Sequence, residues 1–143
     1  MLGSLARWLR FMGLDAAYPD PMDDRGLMEK AREEGRVLIT RDKELAARFQ
    51  GSVHVRSDVL EEQIREVASV LALRIVDPLS RCSLCNALLE PASPESVRDL
   101  VPEGVLARQD TFSRCPSCGK VYWQGSHWGK MIERLNRLDL QGP

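Results

Sequence analysis

The sequence predicts an α/β fold, a parallel sheet with helices on its faces, followed by a small zinc ribbon. Two observations carry this expectation. Helix-like and strand-like hydrophobic periods alternate from residue 2 to residue 71, the pattern of parallel strands joined by crossover helices. All four cysteines then fall in two C-x-x-C pairs, Cys82 with Cys85 and Cys115 with Cys118. Two residues between thiolates let one tight loop aim both sulfurs at a single ion. Two such loops complete a tetrahedral shell with no open position, which is a structural zinc site.

The elements follow in order. Leu2, Leu5, Ala6, Leu9 and Met12 recur at helical spacing, and Gly13 is placed to stop that helix. Residues 14–18 are short, apolar and strand-compatible, and Pro19 and Pro21 bracket the loop after them. Asp23 and Asp24 start a helix to about residue 34, with Leu27, Met28 and Ala31 inward and Gly35 at its end. Residues 36–40 hold Val37, Leu38 and Ile39, the apolar run of a strand buried on both faces. Asp42 opens a helix over 43–49, Gly51 ends it, and residues 52–56 alternate as a strand.

Ser57 and Asp58 precede a longer helix with the stripe Leu60, Ile64, Val67, Ala68 and Leu71, and Asp58 and Glu61 have the spacing of a capping box. Asp77 and Pro78 mark a break, dividing the chain into residues 1–78 and 79–143. In the second part Ser93 and Pro94 begin a short helix to about residue 100. Residues 121–123 form a strand. Ser126 caps a last helix with Trp128, Met131, Ile132, Leu135 and Leu138 on one apolar face.

Composition excludes a globally basic nucleic-acid binder. Net charge is -1 over 143 residues, with 12 Lys and Arg against 14 Asp and Glu in residues 1–80, and 8 against 7 after them. Any polyanion site is therefore a local patch. Residues 1–13 are amphipathic and carry Arg7 and Arg10, so they do not read as a secretory leader. No apolar run reaches the roughly 18 residues of a membrane span. The expected location is the cytoplasm, where cysteine pairs favour zinc over disulfides.

Functional groups of a parallel sheet collect at the carboxyl ends of its strands. Asp42 follows strand 36–40, Asp58 follows 52–56, and Asp24 shares that edge if 14–18 is a strand. Carboxylates gathered there suit magnesium or manganese, which activate water and stabilise a phosphodiester transition state. Taken singly, each aspartate reads as an ordinary helix cap. Thr40, Arg41 and Lys43 surround Asp42 with phosphate-handling groups.

Arg7 and Arg10 lie one helical turn apart, where they serve either a phosphate backbone or a solvated surface. Arg114, Trp123 and His127 frame the second cysteine pair and suit base stacking and phosphate contact. With Arg7, Arg10 and Arg41 they are the expected RNA contacts. Tyr122, Trp123 and Trp128 are also suited to be the ribbon's own core, Trp128 foremost. His54, inside a strand, reads as structural.

A longer set of motifs binds these features together. It comprises Met1-Leu2-Gly3-x-Leu5-Ala6-Arg7-Trp8-Leu9-Arg10, Arg36-Val37-Leu38-Ile39-Thr40-Arg41-Asp42, Arg56-Ser57-Asp58 and Gln63. Arg81-Cys82-x-x-Cys85-Asn86, Cys115-x-x-Cys118-Gly119 and Val121-Tyr122-Trp123-x-Gly125-Ser126-His127-Trp128 complete it. Over nearly its whole length the chain resembles the Mut-seven C-terminal RNase domain family, a PIN-like nuclease fold with an appended zinc ribbon.

The resemblance implies metal-dependent hydrolysis of RNA, with Asp24 and Asp42 at the acidic positions that hold magnesium or manganese. Asp58 is at a recurrent third position, and Cys82, Cys85, Cys115 and Cys118 are the zinc ligands. RNA is the implied partner, and no membrane is. Members of the family carry a strand before the Met-Leu-Gly run, ending in a further acid, whereas this sequence begins at Met1 inside the motif. The first strand and its ligand are thus expected upstream of Met1. The alternative is a non-catalytic RNA-binding or adaptor protein. A zinc module serving only a protein partner is a third reading.

Overall fold

The structure, a computed structural model, describes residues 2–138. It is a mixed α/β fold with a small parallel sheet, an antiparallel three-stranded sheet and six α-helices among those residues.

Helix α1 (Gly3–Phe11) buries Leu5, Ala6 and Leu9 as the spacing predicts. The chain leaves it through Gly13 at φ +94, where a Cβ would lie 2.7 Å from the Asp77 carbonyl oxygen and 2.8 Å from its nitrogen. That approach is held by the Val76 and Leu79 amides, which donate to the Met12 and Phe11 carbonyls, each at 3.0 Å. Gly13→Ala combines a left-handed backbone with a backbone clash. It is expected to cost about 2–4 kcal/mol, read as a fall in the urea midpoint at unchanged slope.

Residues 14–18 form no regular element and join no ladder. The Leu14 amide donates to the Leu9 carbonyl at 3.0 Å, and both backbone groups of Ala16 are spent on side chains. The Ala16 amide donates to Asn86 Oδ1 at 3.1 Å, and its carbonyl accepts from Arg10 Nε at 2.7 Å. Helix α2 (Asp24–Glu34) starts as expected, with Asp23 accepting the Gly26 amide at 2.8 Å, and ends at Gly35 in the left-handed region.

Strand β1 (Ile39–Thr40) pairs in parallel with β2 (Val53–His54), Ile39 opposite Val53, through the crossover helix α3 (Lys43–Arg48). The strand is shorter than its apolar run, and Val37, which precedes it, is 47% exposed rather than buried on both faces. Helices α2 and α3 are tied by the Arg48–Asp24 ion pair and by Arg32 stacked 5.6 Å above the Phe49 ring.

Helix α4 (Leu60–Leu71) has Val59 at its cap, so the expected Asp58 capping box does not form. Ser57 Oγ accepts the Val59 amide, and Glu66 takes the Arg56 and Ser57 amides instead.

The second part is built on β3 (Glu90–Ala92), β4 (Phe112–Arg114) and β5 (Val121–Tyr122), paired antiparallel in that order. Only a 3-10 turn (Glu95–Val97) follows Ser93 and Pro94, and helix α5 (Glu103–Arg108) was not foreseen. Val97, Val101 and Phe112 make a satellite core here, against which Trp123 packs edge-on to Phe112 at 6.2 Å.

Helix α6 (Ser126–Asn136) returns to the first core. Leu135 and Leu138 are buried with Leu5, Leu9, Val55, Ile64 and Val67, while Trp128, Met131 and Ile132 pack on the same cluster. Trp128 thus belongs to the large core and not to the ribbon's. Arg134 completes the docking, pairing with Glu61 of α4 and lying 5.0 Å above the Trp8 ring.

Candidate functional site

The two cysteine loops have the same hydrogen-bonded geometry. In the first, the Cys82 amide donates to the Ala87 carbonyl and the Asn86 amide to the Cys82 carbonyl, at 2.9 and 2.8 Å. In the second, Cys115 donates to Lys120 and Gly119 to Cys115, both at 2.9 Å. The fourth residue after each leading cysteine takes positive φ, +68 at Asn86 and +82 at Gly119, and Asn and Gly are the residues that tolerate it.

The four sulfurs come within 4.8 Å of one another, with Cys82 Sγ 3.7 Å from Cys118 Sγ. Zinc–sulfur bonds of about 2.3 Å in a tetrahedron put sulfurs about 3.8 Å apart. The donor set therefore fits a structural metal such as zinc. Among the described residues it is the only set of three or more Cys, His, Asp or Glu side chains so closely grouped.

Burial pushes the Cys82 thiol up, but the hydrogen bond to Tyr122 and those from the Cys85 and Leu84 amides outweigh it and bring it to about 7. The Lys120 amide lowers Cys118, yet burial and protons shared with Cys85, Cys82 and Cys115 carry it to about 11. Four sulfurs without a cation cannot all be thiolates, and a divalent ion removes that conflict.

Arg10 stands apart from the expected RNA-facing set. It is 6% exposed, with Nε on the Ala16 carbonyl and Nη1 on the Ser83 carbonyl inside the first cysteine loop, at 2.7 and 2.8 Å. Burial lowers its pKa, and the charges of Cys82 and Cys85 oppose that. Arg10 thus ties α1 to the ribbon and offsets sulfur charge rather than displaying its guanidinium to solvent. Arg10→Met leaves two carbonyls unpaired and is expected to cost about 3 kcal/mol, seen in urea unfolding. Arg10→Lys recovers little of it, lacking the forked donors.

Asn86 forms a second tie. Its Nδ2 donates to Asp15 at 2.7 Å, and that bond, followed by one from Arg36, holds the Asp15 carboxyl below its ordinary range.

Of the other expected RNA contacts, Arg7, Trp123 and His127 come together on one cleft of about 810 Å³ between α1, the ribbon and α6. Arg114 lies on the second cysteine loop, its Nε on the Gly119 carbonyl at 3.2 Å. Arg41 lines a second groove of about 850 Å³, bordered by α1, residues 14–22, β1 and α4. Its carbonyl lies 3.2 Å from Nε2 of His54.

Asp42 lines that same groove at the carboxyl end of β1. It is exposed, and its Oδ1 accepts the Glu44 and Leu45 amides at 2.9 and 3.2 Å. Asp24 is bound to Arg48 at 2.7 Å. Asp58 is exposed ahead of α4. The three do not form one carboxylate group among the described residues. No described helix is long and apolar enough to cross a membrane.

A family model described as Mut7-C RNAse domain matches residues 1–135 of the chain. No curated protein and no solved structure matches it.

Proposed function

We propose, because this chain belongs to the Mut7-C RNAse domain family, that it is a metal-dependent ribonuclease, a hydrolase pairing a PIN-like unit (residues 1–78) with a zinc ribbon (79–143). The family indicates a nuclease-type function with RNA as substrate. The observation that carries the finer reading is the position of Asp42, exposed on a groove at the carboxyl end of a parallel β–α–β unit, where such sheets hold their ligands.

The donor chemistry suits magnesium or manganese, which need only one or two carboxylates beside substrate phosphates. Capping α3 fixes the Asp42 carboxylate in place. Asp24 is the proposed second ligand and shares its charge with Arg48; Asp58 is the third position, at the end of the next strand. A bound magnesium or manganese ion supplies activated water and neutralises phosphodiester charge.

The chain's own residues do the remaining work. Arg41 and Lys43 flank the phosphate, and zinc on Cys82, Cys85, Cys115 and Cys118 organises the ribbon that helps hold RNA. Reduced thiolates accord with the cytoplasm. A non-catalytic RNA-binding adaptor is the second reading, favoured by the Asp24–Arg48 pair and by the separation of the three acids.

The test is incubation of zinc-loaded protein and labelled single-stranded RNA with manganese, with magnesium, or with neither. Shortening of the RNA that requires the added metal is expected. Binding without cleavage in all three overturns the ribonuclease and leaves the adaptor.

A further inference from the structure

The two grooves use opposite faces of α1. Leu2, Leu5, Ala6 and Leu9 face the groove that holds Asp42, and Arg7, Trp8 and Phe11 face the cleft against the ribbon. A helix with side chains is about 10 Å wide, so the two lie that far apart. Their charges differ. Asp15, Asp20, Glu34 and Asp42 line the first, against Arg36 and Arg41, so it is net acidic. The second is lined by Arg7, Arg81, Arg108 and Lys120 and, among the described residues, by no acid, in a chain with 21 acidic and 20 basic residues.

Three further features belong to the basic cleft. All three tryptophans of the chain, Trp8, Trp123 and Trp128, line it. Two of its lining residues carry buried nitrogens without a hydrogen-bond partner, Trp128 Nε1 and Arg81 Nε, and a buried unpaired donor is costly unless something accepts from it. Its volume of about 810 Å³ is on the scale of a small-ligand site.

We propose that this cleft binds single-stranded RNA, stacking unpaired bases against Trp123 and neutralising phosphates with Arg7, Arg81, Arg108 and Lys120. Aromatic faces serve any base, so binding is tolerant of sequence and strongly salt-dependent. The inference rests on the RNA reading above but names a place for the substrate that is separate from the Asp42 groove.

The tryptophans make the test specific, because intrinsic fluorescence reports this cleft. Zinc-loaded full chain, without added magnesium or manganese, is titrated with single-stranded RNA of about ten nucleotides, within the usual footprint of such sites. Saturable quenching is expected. The double variant Arg108→Gln, Lys120→Gln, at two exposed positions, is expected to bind about 10-fold more weakly, with a salt slope smaller by about 1.4.

Binding of labelled RNA without quenching overturns the proposal, as does wild-type affinity in the double variant. So does equal quenching by inorganic phosphate, duplex RNA or polyglutamate. Quenching in a protein that never cleaves leaves the cleft and removes the ribonuclease. Cleavage without quenching does the reverse.

Discussion

Asp42→Asn is expected to slow metal-dependent RNA cleavage by about 100-fold or more, roughly 3 kcal/mol of transition-state stabilisation, while leaving the fold intact. The substitution is chosen for what it preserves. Asp42 caps α3 by accepting two amides on Oδ1, and asparagine caps a helix as well as aspartate does. What it removes is the anionic oxygen that a hard cation needs. Asp42→Ala would lose cap and charge together, with about 1 kcal/mol of stability mixed into the result. Initial cleavage rates with manganese, beside urea midpoints, separate the two effects. Equal rates in Asp42→Asn and wild type would remove Asp42 from the chemistry.

Cys115→Ser is expected to release zinc and to lower the melting temperature by at least about 10 °C, or about 3 kcal/mol and more at this chain length. Among the described residues the core around the four sulfurs is Cys82, Cys115 and Tyr122, with Leu79, Ala87 and Leu89 against it, too little to be expected to stand without an ion. The loss spreads because the ribbon is bound into the rest of the molecule. Arg10 of α1 reaches into its first loop, Asn86 reaches out of that loop to Ala16, and α6 carries Leu135 into the large core.

Acidification acts in the same direction. Bound zinc would hold the sulfurs as thiolates, so its stabilisation is expected to be present at neutral and higher pH and to be lost as falling pH protonates them. Metal analysis and thermal melts check both points. One zinc per chain in Cys115→Ser, or an unchanged melt, would exclude the four-thiolate site.

Much of the local structure was legible because its causes are local. Asp23 and Gly35 bound α2, Asp42 caps α3, and the C-x-x-C spacing sets the sulfur cluster. What was not legible depends on distant partners. Residues 14–18 have strand chemistry, yet Asn86, 70 positions on, takes the Ala16 amide. Arg10 and Arg7 look alike as a helical pair, but only Arg10 meets a carbonyl 73 residues away and is buried by it. An amphipathic helix does not say which core it will join, so Trp128 was expected in the ribbon and packs on the larger cluster.

The two candidate sites divide in the same way. Asp42 was visible because it follows an apolar strand at once. The basic cleft was only partly visible. Arg81, Arg108 and Lys120 come from three separate segments, and nothing in the sequence around any of them signals a shared surface.

Cleavage in water enriched in the heavy oxygen isotope, with mass spectrometry of the products, tests the central claim most directly. Manganese is expected to be required, each newly formed terminal phosphate to carry one solvent oxygen, and no cyclic phosphate to accumulate. Metal-independent cleavage, a cyclic phosphate product, or intact RNA in the presence of manganese would contradict it.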